Sequence, residues 1–250
     1  MYLFKYKQSL ISSSLDLSDR HTTRIPHLLT YSYHQSWLKT ARLSFYTHRQ
    51  CPYAHRVHIT LAELGIPFEE EQIDLEVPRT EAYLKINPRG KVPALSYNGK
   101  IITESAIIAK FLADAYPSPL VPPSNSVDGA LRRAQIDFFV DTYVNNVLGL
   151  LYKGISAKTD AEAEKIGHAL VENIVKEIEP ELNDAAPYFG GSDKVTLAEA
   201  LVASFVIRLL SLGRSGILFK EALSGLEAKA PNFFQVGSYS AEDAQYYRHL

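Results

Sequence analysis

A single cysteine, a single methionine and a single tryptophan occur in 250 residues. One thiol excludes an internal disulfide framework and a cysteine-built structural zinc site. It also fits a reducing compartment better than a secreted one. Charge of one sign is equally scarce. The formal net charge is −2, so no strong field draws the chain toward nucleic acid or an anionic membrane, and neither is expected as a partner. No apolar run approaches the roughly 20 residues that span a bilayer. What remains is an ordinary globular composition, 46% hydrophobic and 22% charged, long enough for one large domain or two smaller ones.

Residues 1–41 differ in kind from the rest. They carry the run Ser12, Ser13, Ser14 with Arg20 and Arg24 nearby, and their only acids are Asp16 and Asp19. Such a stretch reads as an extension outside the folded body or as an organellar transit peptide. The first reading implies a cytoplasmic protein and the second a mitochondrial one.

Regular patterning begins at Leu43. Leu43-Ser44-Phe45-Tyr46-Thr47 alternates and is rich in β-formers, so it is expected as a strand. Pro52 suits the first position of a helix, Ala54, Val57, Leu61 and Leu64 recur at helical spacing, and Gly65 stops it. A second strand is expected through Gln72-Ile73-Asp74-Leu75, and a short helix or loop over Pro78 to Ile86. Val92 to Tyr97 and Lys100 to Thr103 are expected as a hairpin about Asn98-Gly99. A helix follows from Ser105 to about Tyr116. After the proline-rich residues 118–127, helices are expected over Leu131 to Leu151, Ala161 to Leu182, Thr196 to Leu212 and Phe219 to Ala228. The fold class is thus α/β plus all-α: an α/β unit over 42–117, a linker over 118–127 and a helical bundle over 128–250.

Three short segments carry chemistry. Cys51 stands where a strand gives way to a helix N-terminus, and the free N–H groups and dipole there favour a thiolate. A buried inert cysteine would more usually lie on a helix's apolar stripe. Val92-Pro93 is the second segment, because proline in a strand belongs at an edge, a start or a special bond. A cis bond there would present the Val92 backbone to an extended peptide. Glu104-Ser105 is the third. Ser105 opens a helix whose exposed N–H groups suit a carboxylate, and Glu104 beside it suits an ammonium, so the pair reads as an amino-acid cradle. His48, Cys51, His55 and His58 have the atom types zinc prefers, but His48 precedes the helix. They read as solvated or helix-face imidazoles, and no metal is expected.

Over Leu43 to about Phe233 the pattern resembles the glutathione transferase family. Cys51-Pro52-Tyr53-Ala54, with Val92-Pro93 and Glu104-Ser105 on either side of the Asn-Gly hairpin, is most similar to the omega class, whose catalytic residue is cysteine. The resemblance implies a thioredoxin-like N-terminal domain, a helical C-terminal domain, a homodimer and glutathione as co-substrate. Carried onto matching positions, it makes Cys51 the attacking sulfur and has Val92, beside Pro93, pair its backbone with the cysteinyl part of glutathione. Glu104 and Ser105 would hold the γ-glutamyl ammonium and carboxylate. A basic residue would bind the glycine carboxylate: Arg79 stands at the matching position, with Lys91 or Lys85 as alternatives. Thr196 to Glu199 resembles the family's N-capping box and is structural.

The activity implied is thiol transfer, the reduction of glutathione mixed disulfides or dehydroascorbate-like acceptors. Two alternatives stand beside it. One is conjugation of glutathione to an electrophile, for which Tyr46 and Tyr53 are the nearest hydroxyls, although both read as core or wall residues. The other is a non-enzymatic glutathione-binding regulatory protein. Because position 54 is Ala, no second thiol follows Cys51, and free glutathione must supply the resolving sulfur. The acceptor, a small electrophile or disulfide, is expected between the domains along the helix carrying Phe138, Phe139 and Tyr143. The tryptophan and helix that the family would place after Phe233 are not recognisable in this sequence, so no residues are assigned to the C-terminal wall of that pocket.

Overall fold

The computed structural model describes residues 41–235. The transit-peptide and extension readings of the first residues, and the reading of the segment beyond 235, lie outside the described residues.

Alternation along β1 (Leu43–Thr47) sends Leu43, Phe45 and Thr47 to one face of a sheet and Ser44 and Tyr46 to the other. On the first face the Phe45 ring meets the edge of His58, 4.8 Å away, in α1 (Pro52–Leu64). On the second, Tyr46 meets Tyr83 of α2 (Glu81–Ile86) at 5.9 Å. With β2 (Glu69–Gln72), β3 (Ala94–Tyr97) and β4 (Lys100–Thr103), the sheet has the order β2-β1-β3-β4. β1 and β2 are parallel, while the other two pairs are antiparallel. Asn98 and Gly99 both take positive φ in the β3–β4 turn, as a tight hairpin requires. α3 (Ser105–Ala115) then returns against α1. This is a thioredoxin-like arrangement.

Two strand expectations shift. The second strand lies at Glu69–Gln72, not Gln72–Leu75. Backbone pairing with β1 holds this acidic edge, whereas Ile73 and Leu75 pack on the cluster of Tyr46, Tyr83, Val92 and Ala94. The third strand begins at Ala94, leaving Val92 and Pro93 ahead of the ladder.

Ser126 accepts a hydrogen bond from the Gly129 N–H and so starts α4 (Val127–Tyr143). The helix continues through a π-helical turn (Val144–Leu148) into α5 (Gly149–Ile155). α6 (Asp160–Asn173) likewise passes through a π-helical turn (Ile174–Ile178) before a 3₁₀ turn at Glu179–Leu182. The two wide turns are joined where the Asn173 side chain donates to the Asn146 carbonyl at 2.7 Å. The helix expected over Phe219 to Ala228 is reduced to α8 (Leu226–Lys229). Phe219 instead takes a φ of 57° and buries its ring against Gly154 and Gly167.

Among the described residues α7 (Leu197–Arg214) is the central helix, packing on α1, α3 and α4. Its start is the expected capping box. Thr196 Oγ1 accepts from the Ala198 N–H, and the buried Glu199 carboxylate accepts from the Thr196 and Phe189 N–H groups at 2.9 and 2.8 Å. Burial pushes the Glu199 carboxyl up, against these hydrogen bonds.

Candidate active site

Pro52 lacks the N–H that a first helical residue leaves unused. This places Cys51 at the N-cap of α1 with extended backbone and no side-chain capping bond. Its Sγ lies 3.9 Å from the Val92 carbonyl oxygen. Cys51 opens into a cleft of about 470 Å³ that is also lined by Arg79, Lys91, Val92, Pro93, Glu104 and Ser105. All the residues singled out for glutathione therefore share one cavity, except the alternative Lys85. Tyr53, Leu75, Asn87 and Gly90 complete the lining.

The Val92–Pro93 bond is cis. Among the described residues nothing pairs with the Val92 N–H, because β3 starts two residues later. The preceding loop is held firmly: the Tyr83 hydroxyl and the Asn87 amide both donate to the Lys91 carbonyl, at 2.6 and 2.7 Å.

Arg79 sits at the cleft with its guanidinium largely occupied. Nε donates to the Gly90 carbonyl at 3.0 Å, Nη1 to the carbonyls of Asp74 and Val77, and Nη2 to that of Leu75. The side chain lies so close over Gly90 that an added Cβ would come within 3.2 Å of Arg79 Cγ. Arg79 thus clamps the 74–77 loop to the turn before Lys91. The Lys91 ammonium makes no ion pair among the described residues.

Glu104 takes a φ of 70° immediately before α3. Such backbone costs about 1–3 kcal/mol for a side-chain-bearing residue and concentrates at functional sites. β4 on one side and α3 on the other hold it there. Glu104 caps no N–H, which leaves the first amides of α3 without a side-chain cap at the cleft. Its carboxylate forms a solvent-exposed ion pair with Arg89.

Behind Ser105 lies a residue that composition did not flag. Arg56 is 5% exposed; it donates to the Leu201 carbonyl of α7 at 2.6 Å and to Ser105 Oγ at 3.4 Å. Its guanidinium lies 4.6 Å from the Phe205 ring centre. Burial, partly offset by nearby tyrosines, holds it down at about 10. The charge is retained at neutral pH with no carboxylate partner among the described residues.

On the other flank of Cys51 stand Tyr53, Tyr152 and Arg208. Burial, with the neighbouring Tyr53 phenol, pushes Tyr152 beyond the usual phenol range. Arg208 Nη2 donates to the Gln50 carbonyl, the group just before Cys51, at 3.2 Å. The expected wall is corrected here. Phe139 and Tyr143 are buried in the helical core and Phe138 faces outward, so none of the three lines the cleft.

The imidazoles have separate partners. His48 Nδ1 faces the Ile73 carbonyl, His58 Nε2 faces Thr47 Oγ1, and His55 Nδ1 faces Arg208. Burial holds His55 and His58 down at about 4, so both are neutral at physiological pH. A lone arginine in an apolar helix (Arg56 among Ala54, Val57 and Leu61, or Arg208 late in α7) was the sequence signal that would have found the missed cations.

A thioredoxin-like domain with a cysteine-lined cleft, followed by a helical region, is the architecture of a known family of transferases, and similar proteins identify it. The model of the glutathione S-transferase N-terminal domain matches residues 50–115. A probable glutathione S-transferase of Solanum tuberosum is 30% identical over 190 residues, covering 74% of this chain and 79% of that protein. A glutathione S-transferase of Arabidopsis thaliana is 32% identical over 171 residues, 68% of this chain. The match spans 66% of the Arabidopsis protein and 61% of a rice relative. Among solved structures, a rice transferase in complex with glutathione superposes with a TM-score of 0.71 at 26% identity, over 84% of this chain and 92% of that one. Omega-class members stand among both the relatives and the solved neighbours. The chain belongs to the glutathione S-transferase family.

Proposed function

We propose that the protein is a glutathione-dependent thiol transferase that acts through Cys51 on glutathione mixed disulfides or dehydroascorbate-like acceptors. The observation that carries this reading is the placement of the only cysteine, uncapped at the mouth of α1 and inside the cleft that holds Val92, Glu104 and Ser105. The helix dipole there stabilises the thiolate, the form that attacks disulfides.

In the first step the Cys51 thiolate attacks the glutathione sulfur of a mixed disulfide. A Cys51–glutathione disulfide forms, and the acceptor thiolate leaves and takes a proton from solvent. A second glutathione thiolate then attacks the glutathione sulfur of that disulfide, giving oxidised glutathione and restoring Cys51. The net exchange consumes one free glutathione thiol: the mixed disulfide and that glutathione become the acceptor thiol and oxidised glutathione. The Val92 backbone would align the cysteinyl unit, while the α3 N-terminus with Ser105 would take the γ-glutamyl carboxylate and Glu104 the ammonium. Lys91 has its amine free to meet the glycine carboxylate, and Arg79 shapes the loop beside it.

Conjugation through a hydroxyl is the weaker reading. Tyr46 is in the core, and Tyr53 packs edge-on against Phe205, 5.1 Å away, as a wall residue of the cleft. A homodimer in the reducing cytosol belongs to the same proposal; the exposed Leu131 and Phe138 on α4 and the lone thiol support it. The test compares native protein with C51A on a glutathione mixed disulfide and on an aryl halide. Loss of disulfide reduction in C51A supports the proposal, whereas unchanged rates with both substrates overturn it.

A further inference from the structure

We propose that Arg208 makes the acceptor flank of Cys51 a subsite for carboxylate-bearing acceptors, walled by Tyr53 and Tyr152. The inference rests on the thiol-transferase reading and names the substrate class of that site.

Arg208 comes from α7, in the helical domain. Nη1 donates to the Ser204 carbonyl at 2.7 Å and to His55 Nδ1 at 3.3 Å, and Nη2 donates to the Gln50 carbonyl at 3.2 Å. Arginine only donates, so His55 Nδ1 is the acceptor and His55 is neutral. Every partner of the guanidinium is therefore uncharged, and among the described residues no carboxylate pairs with it. Five N–H bonds are present on the group. Three are used, leaving Nε–H and one Nη2–H for a ligand.

The surroundings place this charge beside the backbone that leads into Cys51. Gln50 precedes Cys51 directly, and Tyr152 lies within electrostatic reach of both Cys51 and Arg208. Tyr53 lines the cleft beside Cys51, with Tyr152 next to it. The two phenols are 37% and 38% exposed, so this flank is open to an incoming molecule. Glu104 is the one acid that lines the cleft, and Arg89 neutralises it. An acceptor with a carboxylate near its sulfur thus meets an unbalanced cation, where a neutral acceptor gains nothing.

In the exchange step the Cys51 thiolate forms its bond to the glutathione sulfur while the acceptor thiolate departs on the Arg208 flank. The departing group's carboxylate is then paired throughout, and the electron balance is that of the reaction above.

The test uses two glutathione mixed disulfides of similar length, one with 3-mercaptopropionate and one with 2-mercaptoethanol. Native protein is expected to prefer the anionic acceptor in kcat/KM by about tenfold, the effect of one partly screened charge pair. R208Q should bring the ratio to within about twofold of unity, and R208K should keep most of it. In native protein the preference should also shrink as salt rises from ~0.05 to ~0.3 M, a measurement that needs no variant to fold. A native enzyme that turns over both acceptors without preference, or an R208Q ratio equal to the native one, overturns the inference while leaving Cys51 chemistry intact. Turnover that persists in C51A would instead sink the reading on which it rests.

Discussion

On one flank of Cys51 the cleft is made from a continuous stretch of chain between Leu75 and Ser105, much of it backbone: the Val92 carbonyl, the free amides of α3, the carbonyls gripped by Arg79. On the other flank Arg208 and Tyr152 arrive from α7 and α5. The first flank is complete within the α/β domain. The second exists only because α7 is docked on α1, a contact in which Arg56 and Arg208 reach carbonyls across the boundary. Backbone groups cannot be changed by substitution, whereas an Arg or Tyr can. Under the proposed function, cofactor recognition would thereby be tied to the fold, and acceptor choice left to a few side chains from the second domain.

The largest expected effect removes what both flanks share. C51A should lower reduction of a glutathione mixed disulfide by about 10³-fold or more, as loss of a nucleophile does. Retention of glutathione binding, measured by calorimetry, would show that the cofactor flank stands without the thiol.

Acid should strain the junction between the flanks next. His58 faces β1 and His55 faces Arg208, both on α1, and each titrates near 4 in the folded protein against about 6.5 when free. The unfolded chain binds protons first as pH falls. The stabilisation is therefore complete above about pH 6.5, is lost as pH falls toward 4, and amounts to at most about 3 kcal/mol for each group. Urea titrations between pH 7.5 and 4.5 check this. H58Q and H55Q should each flatten the slope, and a slope unchanged in both variants would contradict the assignment.

A third comparison separates clamp from charge within the cofactor flank. R79M leaves four carbonyls without their shared donor and should cost about 2 kcal/mol of stability while raising the glutathione KM about tenfold. K91M should raise that KM about threefold without altering Tm, and its effect should fade in high salt. Equal effects on Tm would mean that Lys91 is structural too.

The same division explains what could be read in advance. β1, α1 with its Gly65 stop, the Thr196–Glu199 box and the cleft residues were legible because each is a local pattern: alternation, helical spacing, a cap, a Val-Pro before a hairpin. The strand at Glu69–Gln72 was not, since nothing in four polar residues advertises an edge held by backbone pairing with β1. The π-helical turns after α4 and α6 depend on one helix meeting another through Asn173 and Asn146. Arg56 and Arg208 were passed over because a charge on a helix ordinarily marks its solvent face, and here each finds its partners on another element. Phe138, Phe139 and Tyr143 are expected at the acceptor wall from family geometry, yet their helix turns two of them into the core.

The smallest expected effect probes the exposed pair between Arg89 and Glu104, whose side chains are 69% and 52% exposed. An ion pair in that setting contributes at most about 1 kcal/mol, so R89Q should leave Tm nearly unchanged. Its consequence belongs to the cofactor flank, because Arg89 competes with the γ-glutamyl ammonium for the Glu104 carboxylate. Removing that competitor should lower the glutathione KM by up to about threefold and leave the acceptor preference set by Arg208 untouched. A rise in KM would mean the reverse, that Arg89 holds Glu104 in its binding pose. The strained backbone of Glu104 would then need a side-chain partner as well as β4 and α3 to keep the ammonium site in place.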